Sequence, residues 1–409
     1  MSRFDFYCYG CGSAYVKWPG KIACARCGEP IAIRSHAKPA ADLFEKAPRS
    51  LWTYFDLLPI QERRHIVSMG EGATKLIQAQ RIAQRAGAGK VLLKLESANP
   101  TGSFKDRQIA VGISRARELG IDTVAVVSSG NVACAASAYA ARAGLRAVLM
   151  MHGMASKQKV AQAAAYGGTV VQFDDPNASE VFKLCIEACA KLGWYHLSTA
   201  GMYEPYNVEG AKTIAYEIFQ QTKGEMPDWI VAPVGGGGLL GGIWRGLLDL
   251  KRLKLITKLP RLAGIQASGC APLVAAINEK TPFLETLKHP WPNPYSIAGG
   301  IADDIIFDGH TALPAIRTTH GAAIAVTDEE IIQGELELAS REGILCEPCS
   351  AVTIAALKYL PDVTPETSIC CILTGSGIKD LPAIQDHVRK PIPCEANVDA
   401  LARVVGENP

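Results

Sequence analysis

A repeated order of short aliphatic strand, glycine- or serine-rich loop and alanine-rich helix follows Gly70 through most of this 409-residue chain. Strands that alternate with helices of this length predict an α/β fold with a parallel sheet. The pattern predicts strands at 91–95, 124–127, 147–151, 170–173, 229–234, 262–266 and 369–374. In such folds ligands bind beyond the carboxyl ends of the strands, so the loops there are the first candidates for a site.

Length and charge limit the number of domains and the kinds of partner to expect for this chain. The length predicts two to three domains, and the formal net charge of +2 gives no electrostatic footprint for nucleic acid. Two uncharged stretches, 123–141 and 229–244, have glycine and polar residues at their centres, which argues against membrane spans. The start, MSRFDFYCYG, has no apolar run of signal-peptide length, so we expect a cytoplasmic chain whose thirteen cysteines are reduced.

Two CxxC pairs lie near the start, Cys8 with Cys11 and Cys24 with Cys27, and twelve residues separate them. Paired thiolates at this spacing predict a tetrahedral structural zinc site in a zinc-ribbon-like module over residues 1–35. Four unconnected core thiols or a redox CxxC are the alternatives. Residues 36–66, with three prolines and an aromatic group, are expected to form an arm across the main body.

A run of four glycines, Gly235, Gly236, Gly237 and Gly238, follows the strand predicted at 229–234. Consecutive glycines expose backbone amides, and the start of the next helix adds partial positive charge, so the loop is suited to a phosphate group. It matches neither the P-loop nor the Rossmann spacing. A tight contact between helix and sheet is the alternative explanation.

Lys105 falls in the first turn of a predicted helix for which Ser103 is the expected N-cap. The positive end of a helix disfavours a charged lysine and helps to lower the pKa of its amine. A neutral amine can condense with an aldehyde. The alternative is a surface lysine whose charge is compensated by Asp106.

Four segments together resemble the fold-type II pyridoxal-phosphate enzymes: NPTGSFKDR at 99–107, SSGN at 128–131, PVGGGG at 233–238 and TGSGIKD at 374–380. In detail the chain is most similar to the threonine synthase-like family, over roughly residues 68–381, in the segments GEGAT at 70–74, EGAKT at 209–213, EPCSA at 347–351 and LTGSGIKD at 373–380. The resemblance implies a tryptophan synthase β-like fold of two three-layer αβα domains. It implies a large cofactor-binding domain of residues 67–111 and 209–395, a small substrate domain of residues 112–208, and a homodimer.

The resemblance also implies roles for individual residues. Lys105 would bind the aldehyde of pyridoxal phosphate and later take the α-proton of a small amino-acid substrate. Thr374 would face the ring nitrogen, and a neutral hydroxyl there suits elimination or replacement at the side chain better than transamination. The residues implied to bind the cofactor are Phe104, Lys105, Asn131, Gly235, Gly236, Gly237, Gly238 and Thr374. Those implied to bind the substrate carboxylate are Ser128, Ser129, Gly130, Asn131 and Val132.

Two segments depart from the family: the stretch at 201–210, and the glycine loop, which resembles that of serine/threonine ammonia-lyases where threonine synthases usually have asparagines. Threonine synthases commonly hold the phosphate of O-phosphohomoserine with an Asn-Ser pair and an Arg, which align with Gly201, Met202 and Asn207, and Glu204 would repel a phosphate. We therefore expect the scaffold to act on a different leaving group or side chain. The alternatives are a serine/threonine ammonia-lyase, a true threonine synthase, and an inactive regulatory relative.

The remaining polar residues are expected to have structural roles. Asp303 is expected in a solvated loop, and Lys157 and Lys159 on a helix face in contact with water. The other cysteine groups are expected to be core thiols, namely Cys346, Cys349, Cys370 and Cys371.

Overall fold

The computed structural model describes residues 3–15, 23–36, 38–40, 42–128, 130–152, 156–173 and 178–407. The strands are β1 (Phe4–Cys8), β2 (Ala14–Tyr15), β3 (Ile31–Ser35), β4 (Leu76–Gln78), β5 (Lys90–Leu95), β6 (Thr123–Val127), β7 (Arg146–His152), β8 (Thr169–Phe173), β9 (Tyr195–His196), β10 (Trp229–Pro233), β11 (Arg261–Ala267), β12 (Ala322–Val326) and β13 (Ser368–Leu373). The α-helices are α1 (Gln80–Ala86), α2 (Lys105–Glu118), α3 (Asn131–Ala143), α4 (Lys157–Ala165), α5 (Ala178–Leu192), α6 (Thr213–Gln221), α7 (Gly238–Arg252), α8 (Pro272–Asn278), α9 (Phe283–Thr286), α10 (Gly309–Thr318), α11 (Asp328–Glu342), α12 (Pro348–Ala355) and α13 (Val398–Glu407).

The larger sheet has six strands in the order β12-β11-β10-β13-β5-β4. All neighbours are parallel except β4, which runs antiparallel at the edge. Alternate residues of each strand face opposite apolar clusters: Ile230 packs in one, and Val231 in the other. Because helices cover both faces, the central strands are apolar throughout, as a buried parallel sheet requires.

The smaller sheet has four parallel strands in the order β8-β7-β6-β9. The chain leaves the larger sheet after β5, builds the smaller one and returns through β10. Val124 and Ala125 on β6 face separate apolar clusters, so this sheet is also covered on both sides. All seven predicted strands are confirmed, with ends that differ by one residue or less. The predicted domain boundaries stay a prediction.

The start of the chain forms an antiparallel sheet in the order β2-β1-β3. The rings of Phe4 and Phe6 pack edge-on against Tyr206, with centroids 5.9 and 6.0 Å away. Tyr9, which follows β1 directly, is buried against His310 at 5.8 Å between ring centroids. This module is therefore joined to the main body by aromatic contacts.

A buried ion network fixes α2 to the larger sheet. The Arg107 guanidinium donates to Glu96 Oε2 at 2.7 Å and to Glu217 Oε1 at 2.6 Å. Lys94 Nζ donates to Glu217 Oε2 at 2.6 Å. All four side chains are fully buried, so two cations balance two anions away from water.

Within the described parts of the chain, no helix is both long and apolar enough to cross a membrane. The two uncharged stretches noted in the sequence form β6 followed by α3, and β10 followed by α7.

Candidate active site

Lys105 is the first residue of α2, and the chain before it is tied to the end of β13. The Phe104 backbone N–H donates to the Thr374 carbonyl oxygen at 2.9 Å, and Ser103 forms an antiparallel bridge with Gly375. The prediction that Ser103 is the N-cap of α2 is wrong. Phe104 is the N-cap residue, and no side chain makes a capping hydrogen bond there. The bridge to Gly375 takes Ser103 away from the capping position.

The Lys105 amine is surrounded by acids from other elements. Burial lowers the pKa of Lys105, and the charges of Asp303, Asp308 and Glu347 partly offset this effect. Compensation by Asp106 is contradicted, because that carboxylate turns back and accepts from the Thr101 N–H at 2.7 Å. Lys105 therefore differs from a surface lysine in both its burial and its neighbours.

The glycine loop lies against Lys105 through one residue, Thr199. Lys105 Nζ donates to Thr199 Oγ1 at 3.4 Å, and the Thr199 carbonyl oxygen is 3.0 Å from the position of a Cβ built on Gly238. Gly237 has a φ of +95° and is the N-cap of α7 without a side-chain bond. The loop thus combines a conformation that favours glycine with an uncapped helix N-terminus.

Two acids, Asp303 and Asp308, also lie against the glycine loop. Asp303 Oδ2 is 2.6 Å from the position of a Cβ built on Gly235, so a side chain there would clash. Asp303 lies in a loop, as predicted, but it is half-buried instead of fully solvated: burial raises its pKa, and Lys105 is its strongest charged neighbour. Asp308 is also buried, which raises its pKa to about 7, while Arg245 acts in the opposite direction.

Asn131 is the first residue of α3, and its side chain contacts Glu347, the residue just before α12. Its Nδ2 donates to Glu347 Oε2 at 2.9 Å, whereas its Oδ1 is buried without a hydrogen-bond partner among the described residues. Lys159 Nζ lies 3.8 Å from the same Glu347 Oε2 and 2.8 Å from Asp380 Oδ2. The prediction that Lys159 contacts water is therefore wrong, whereas Lys157 is exposed as predicted.

Thr374 ends β13 with a buried hydroxyl. Its Oγ1 is 2.9 Å from Ser350 Oγ, on α12, and 3.5 Å from Glu347 Oε1. The cysteines at 346, 349, 370 and 371 are buried nearby, which confirms them as core thiols.

The loop before α3 contains a turn that a side-chain hydrogen bond holds. Ser128 Oγ accepts from the Gly130 N–H at 3.2 Å, and Val132 is half-buried in the first turn of α3. Ser129, the remaining predicted carboxylate ligand, lies outside the described residues. The turn places the start of a thirteen-residue helix, α3, beside the Glu347 carboxylate.

The stretch at 201–210, which departs from the threonine synthase pattern, is held by internal bonds. The Gly201 N–H donates to Asp308 Oδ1 at 2.6 Å. Asn207 is fully buried, donates to the Ser198 carbonyl oxygen at 2.7 Å and accepts from Tyr195 at 3.2 Å. Both polar ends of Asn207 are thus used within the core.

The four N-terminal cysteines converge on one point. Their sulfur atoms all lie within 4.8 Å of one another, with Cys8 and Cys27 at 3.3 Å and Cys11 and Cys24 at 3.6 Å. A tetrahedral zinc–thiolate site has sulfur atoms about 3.8 Å apart. We call this group the four-cysteine cluster, and its donor set and spacing fit a metal ion.

Comparison with known proteins agrees with this geometry. The profile of the family described as "Pyridoxal-phosphate dependent enzyme" matches residues 67–375. The chain belongs to this family. The threonine synthase of Methanosarcina acetivorans is 36% identical over 98% of both chains, and that of Methanocaldococcus jannaschii is 34% identical over 98% of this chain and 99% of its own. An L-serine ammonia-lyase from Rhizomucor miehei shares the fold, with a TM-score of 0.66 at 19% identity over 77% of this chain and 97% of its own.

Sequence reasoning missed several groups around Lys105. Asp308, Thr199 and Lys159 come from segments without a recognisable local motif. Glu347 stands in the segment EPCSA, which resembles the family, but it was given no role. Only the fold brings these side chains next to Lys105 and Asn131.

Proposed function

We propose that this chain eliminates or replaces a group on the side chain of a small amino acid, with Lys105 as the residue that binds the aldehyde of pyridoxal phosphate. The observation that carries the proposal is the position of the Lys105 amine, which is half-buried and joined through Thr199 to the glycine loop. A lysine with a lowered pKa is neutral in a larger fraction of molecules at pH 7, and the neutral amine is the nucleophile.

The other residues around Lys105 fit this cofactor. When bound, pyridoxal phosphate withdraws electrons from the α-carbon of an amino acid. The amides of Gly235–238 and the N-terminus of α7 would hold its phosphate, and close neighbours leave no room for side chains on the first two glycines. Phe104 would support the ring, because Lys105 Nζ lies 4.6 Å from the Phe104 ring centroid.

In this proposal Lys105 moves the proton, and neutral groups contact the cofactor ring. Thr374 Oγ1, paired with Ser350 Oγ, offers a hydroxyl and no negative charge to the ring nitrogen. The residues proposed to bind the substrate carboxylate are Ser128, Ser129, Gly130, Asn131 and Val132. Lys105, once free, would accept the proton from the substrate α-carbon. This division of roles favours chemistry at the side chain.

We further propose that the leaving group is not a phosphate. Gly201 and Asn207 stand where threonine synthases have phosphate ligands, and both are used within the protein: the Gly201 N–H donates to Asp308 Oδ1 at 2.6 Å, and Asn207 is fully buried and bonded to Ser198 and Tyr195. A phosphorylated side chain would therefore find no basic partner at the position of the family's Arg.

Two activities are the rivals. Threonine synthase activity is favoured by the 36% identity with the Methanosarcina enzyme. Ammonia-lyase activity is favoured by the four-glycine loop, which resembles that of serine/threonine ammonia-lyases, and it would release a 2-oxo acid without a second substrate. The four-cysteine cluster is proposed to hold structural zinc, and the homodimer, the cytoplasmic location and the lack of a nucleic-acid partner stay predictions.

A visible absorbance titration tests the proposal. The full-length protein is mixed with O-phosphohomoserine or with serine or threonine, and release of phosphate and of 2-oxo acid is followed. We expect the cofactor band to shift with the unphosphorylated amino acids, and we expect Lys105→Ala to lose the band while Lys157→Ala, at an exposed site, keeps it. Faster turnover of phosphohomoserine than of every other amino acid would establish threonine synthase instead.

A further inference from the structure

Gln108 is a buried glutamine on α2, one turn after Lys105. Its side chain is 0% exposed, and neither Nε2 nor Oε1 has a hydrogen-bond partner among the described residues. An unsatisfied buried polar group is costly, and Gln108 has two. A ligand that accepts a hydrogen bond would remove part of that cost.

The carboxamide lies at the glycine loop. Gln108 Nε2 is 3.5 Å from the position of a Cβ built on Gly238, the first residue of α7. That helix has fifteen residues and its N-cap is Gly237, which has no side chain, so its first amides are not satisfied by a capping side chain. A side-chain donor therefore stands beside a group of backbone donors, and together they suit an anion.

Asp308 is the nearest competitor for the carboxamide. Its Oδ2 is 2.7 Å from the same built position on Gly238 and is also without a hydrogen-bond partner among the described residues. The structure forms no bond between Gln108 and Asp308, although both side chains reach the same glycine. An anion at the start of α7 would use the Gln108 donor, whereas an ionised Asp308 would repel it.

We propose that Gln108 is a ligand of the cofactor phosphate, and that its Nε2 donates to a phosphate oxygen next to the amides of the glycine loop. This inference rests on the proposed function, because it takes the loop as the phosphate site. Gln108 is then a binding residue for the phosphate end of the cofactor, while Lys105 binds the aldehyde end.

The test compares two aldehydes that differ only in the phosphate. Full-length protein freed of cofactor is titrated with pyridoxal phosphate and with pyridoxal, and dissociation constants are measured from absorbance and quenching of intrinsic fluorescence. We expect Gln108→Met, which keeps the volume but removes the donor, to weaken pyridoxal phosphate about 10- to 100-fold and to leave pyridoxal unchanged. Gln108→Glu adds a negative charge and is expected to weaken pyridoxal phosphate further.

Ser114→Ala is the matched control. Ser114 is fully buried on the same helix, where its hydroxyl donates to the Ala110 carbonyl oxygen and accepts from the Val67 N–H. This change disturbs α2 without touching the loop, so the affinity ratio of the two aldehydes is expected to stay at the wild-type value. If Gln108→Met does not fold, Gln108→Asn keeps a polar side chain but withdraws the donor by one methylene.

The outcomes separate the two proposals. Wild-type protein that binds neither aldehyde overturns the proposed function itself. Wild-type binding with equal pyridoxal phosphate affinity in the Gln108 variants overturns only the inference. Equal weakening of both aldehydes also overturns it, because Gln108 would then act through packing or through Asp308 and not on the phosphate.

Discussion

Arg107→Met is expected to destabilise the protein strongly, because it removes one of the two cations that balance Glu96 and Glu217. The guanidinium makes two hydrogen bonds to each carboxylate, at 2.6 to 2.8 Å, and all three side chains are fully buried. Removal of one partner from a buried ion pair costs about 3–5 kcal/mol. The free energy of unfolding is expected to fall by this amount, and the fall is measured as a lower midpoint of urea unfolding.

The loss should depend on pH in a definite direction. Burial raises the pKa of Glu217, but Arg107 and Lys94 outweigh it and lower the pKa overall. A depressed pKa stabilises the folded wild type above the unfolded value of about 4.3, and that stability is lost as the pH falls. Without Arg107 the Glu217 pKa rises, so the folded variant takes up a proton more readily. The difference from wild type should therefore be largest near pH 7 and shrink toward pH 5.

Arg117→Met is the matched control, with the same substitution on the same helix at an exposed position. It is expected to change the free energy of unfolding by less than about 0.5 kcal/mol. Because the described structure has three separate sheets, the midpoints of the variants are compared directly instead of extrapolated two-state free energies. An Arg107→Met loss as small as that of the control, or one of equal size at pH 5 and pH 7, would refute the reasoning.

Three further predictions concern the site and the four-cysteine cluster. Asp308 raises the pKa of Lys105, so Asp308→Asn should move the acidic limb of the pH–rate profile to lower pH, by less than about one unit because a carboxyl with a pKa of about 7 is only partly ionised there, and a move to higher pH would contradict this. Glu347→Gln weakens a charge-assisted bond to Asn131 and should lower kcat/KM about 10- to 100-fold; a wild-type value would exclude Glu347 from the site. Cys24→Ser should lower bound zinc from about one ion per chain to nearly none and lower the thermal midpoint, whereas Cys394→Ser, at an exposed site, should keep both.

The strands could be predicted because their signal is local. The residues of β10 and β13 are apolar on both faces, and a loop of glycine or threonine marks the end of each strand. The ends of parallel strands meet at one edge of the sheet, and on this ground the pattern predicts a site at the loops that follow β10 and β13.

The surroundings of Lys105 could not be predicted from local pattern. Lys159 is paired with Asp380, which is 221 positions away, and nothing near either residue indicates the partner. Ser103 has the residue type of an N-cap, but a tertiary bridge to Gly375 overrides that preference. Burial and long-range pairing, which decide the charge around an amine, appear only after the chain has folded.

The position of Tyr9 connects the N-terminal module with the surroundings of Lys105. Tyr9 follows Cys8 of the four-cysteine cluster and packs on His310, whose Nδ1 is 4.0 Å from Asp308 Oδ1. Asp308 in turn acts on the charge of Lys105. One ring contact and one 4.0 Å approach thus separate the module from Asp308. If the four-cysteine cluster lost the metal proposed for it, the packing of Tyr9 on His310 is the route by which that loss would reach the charges around Lys105.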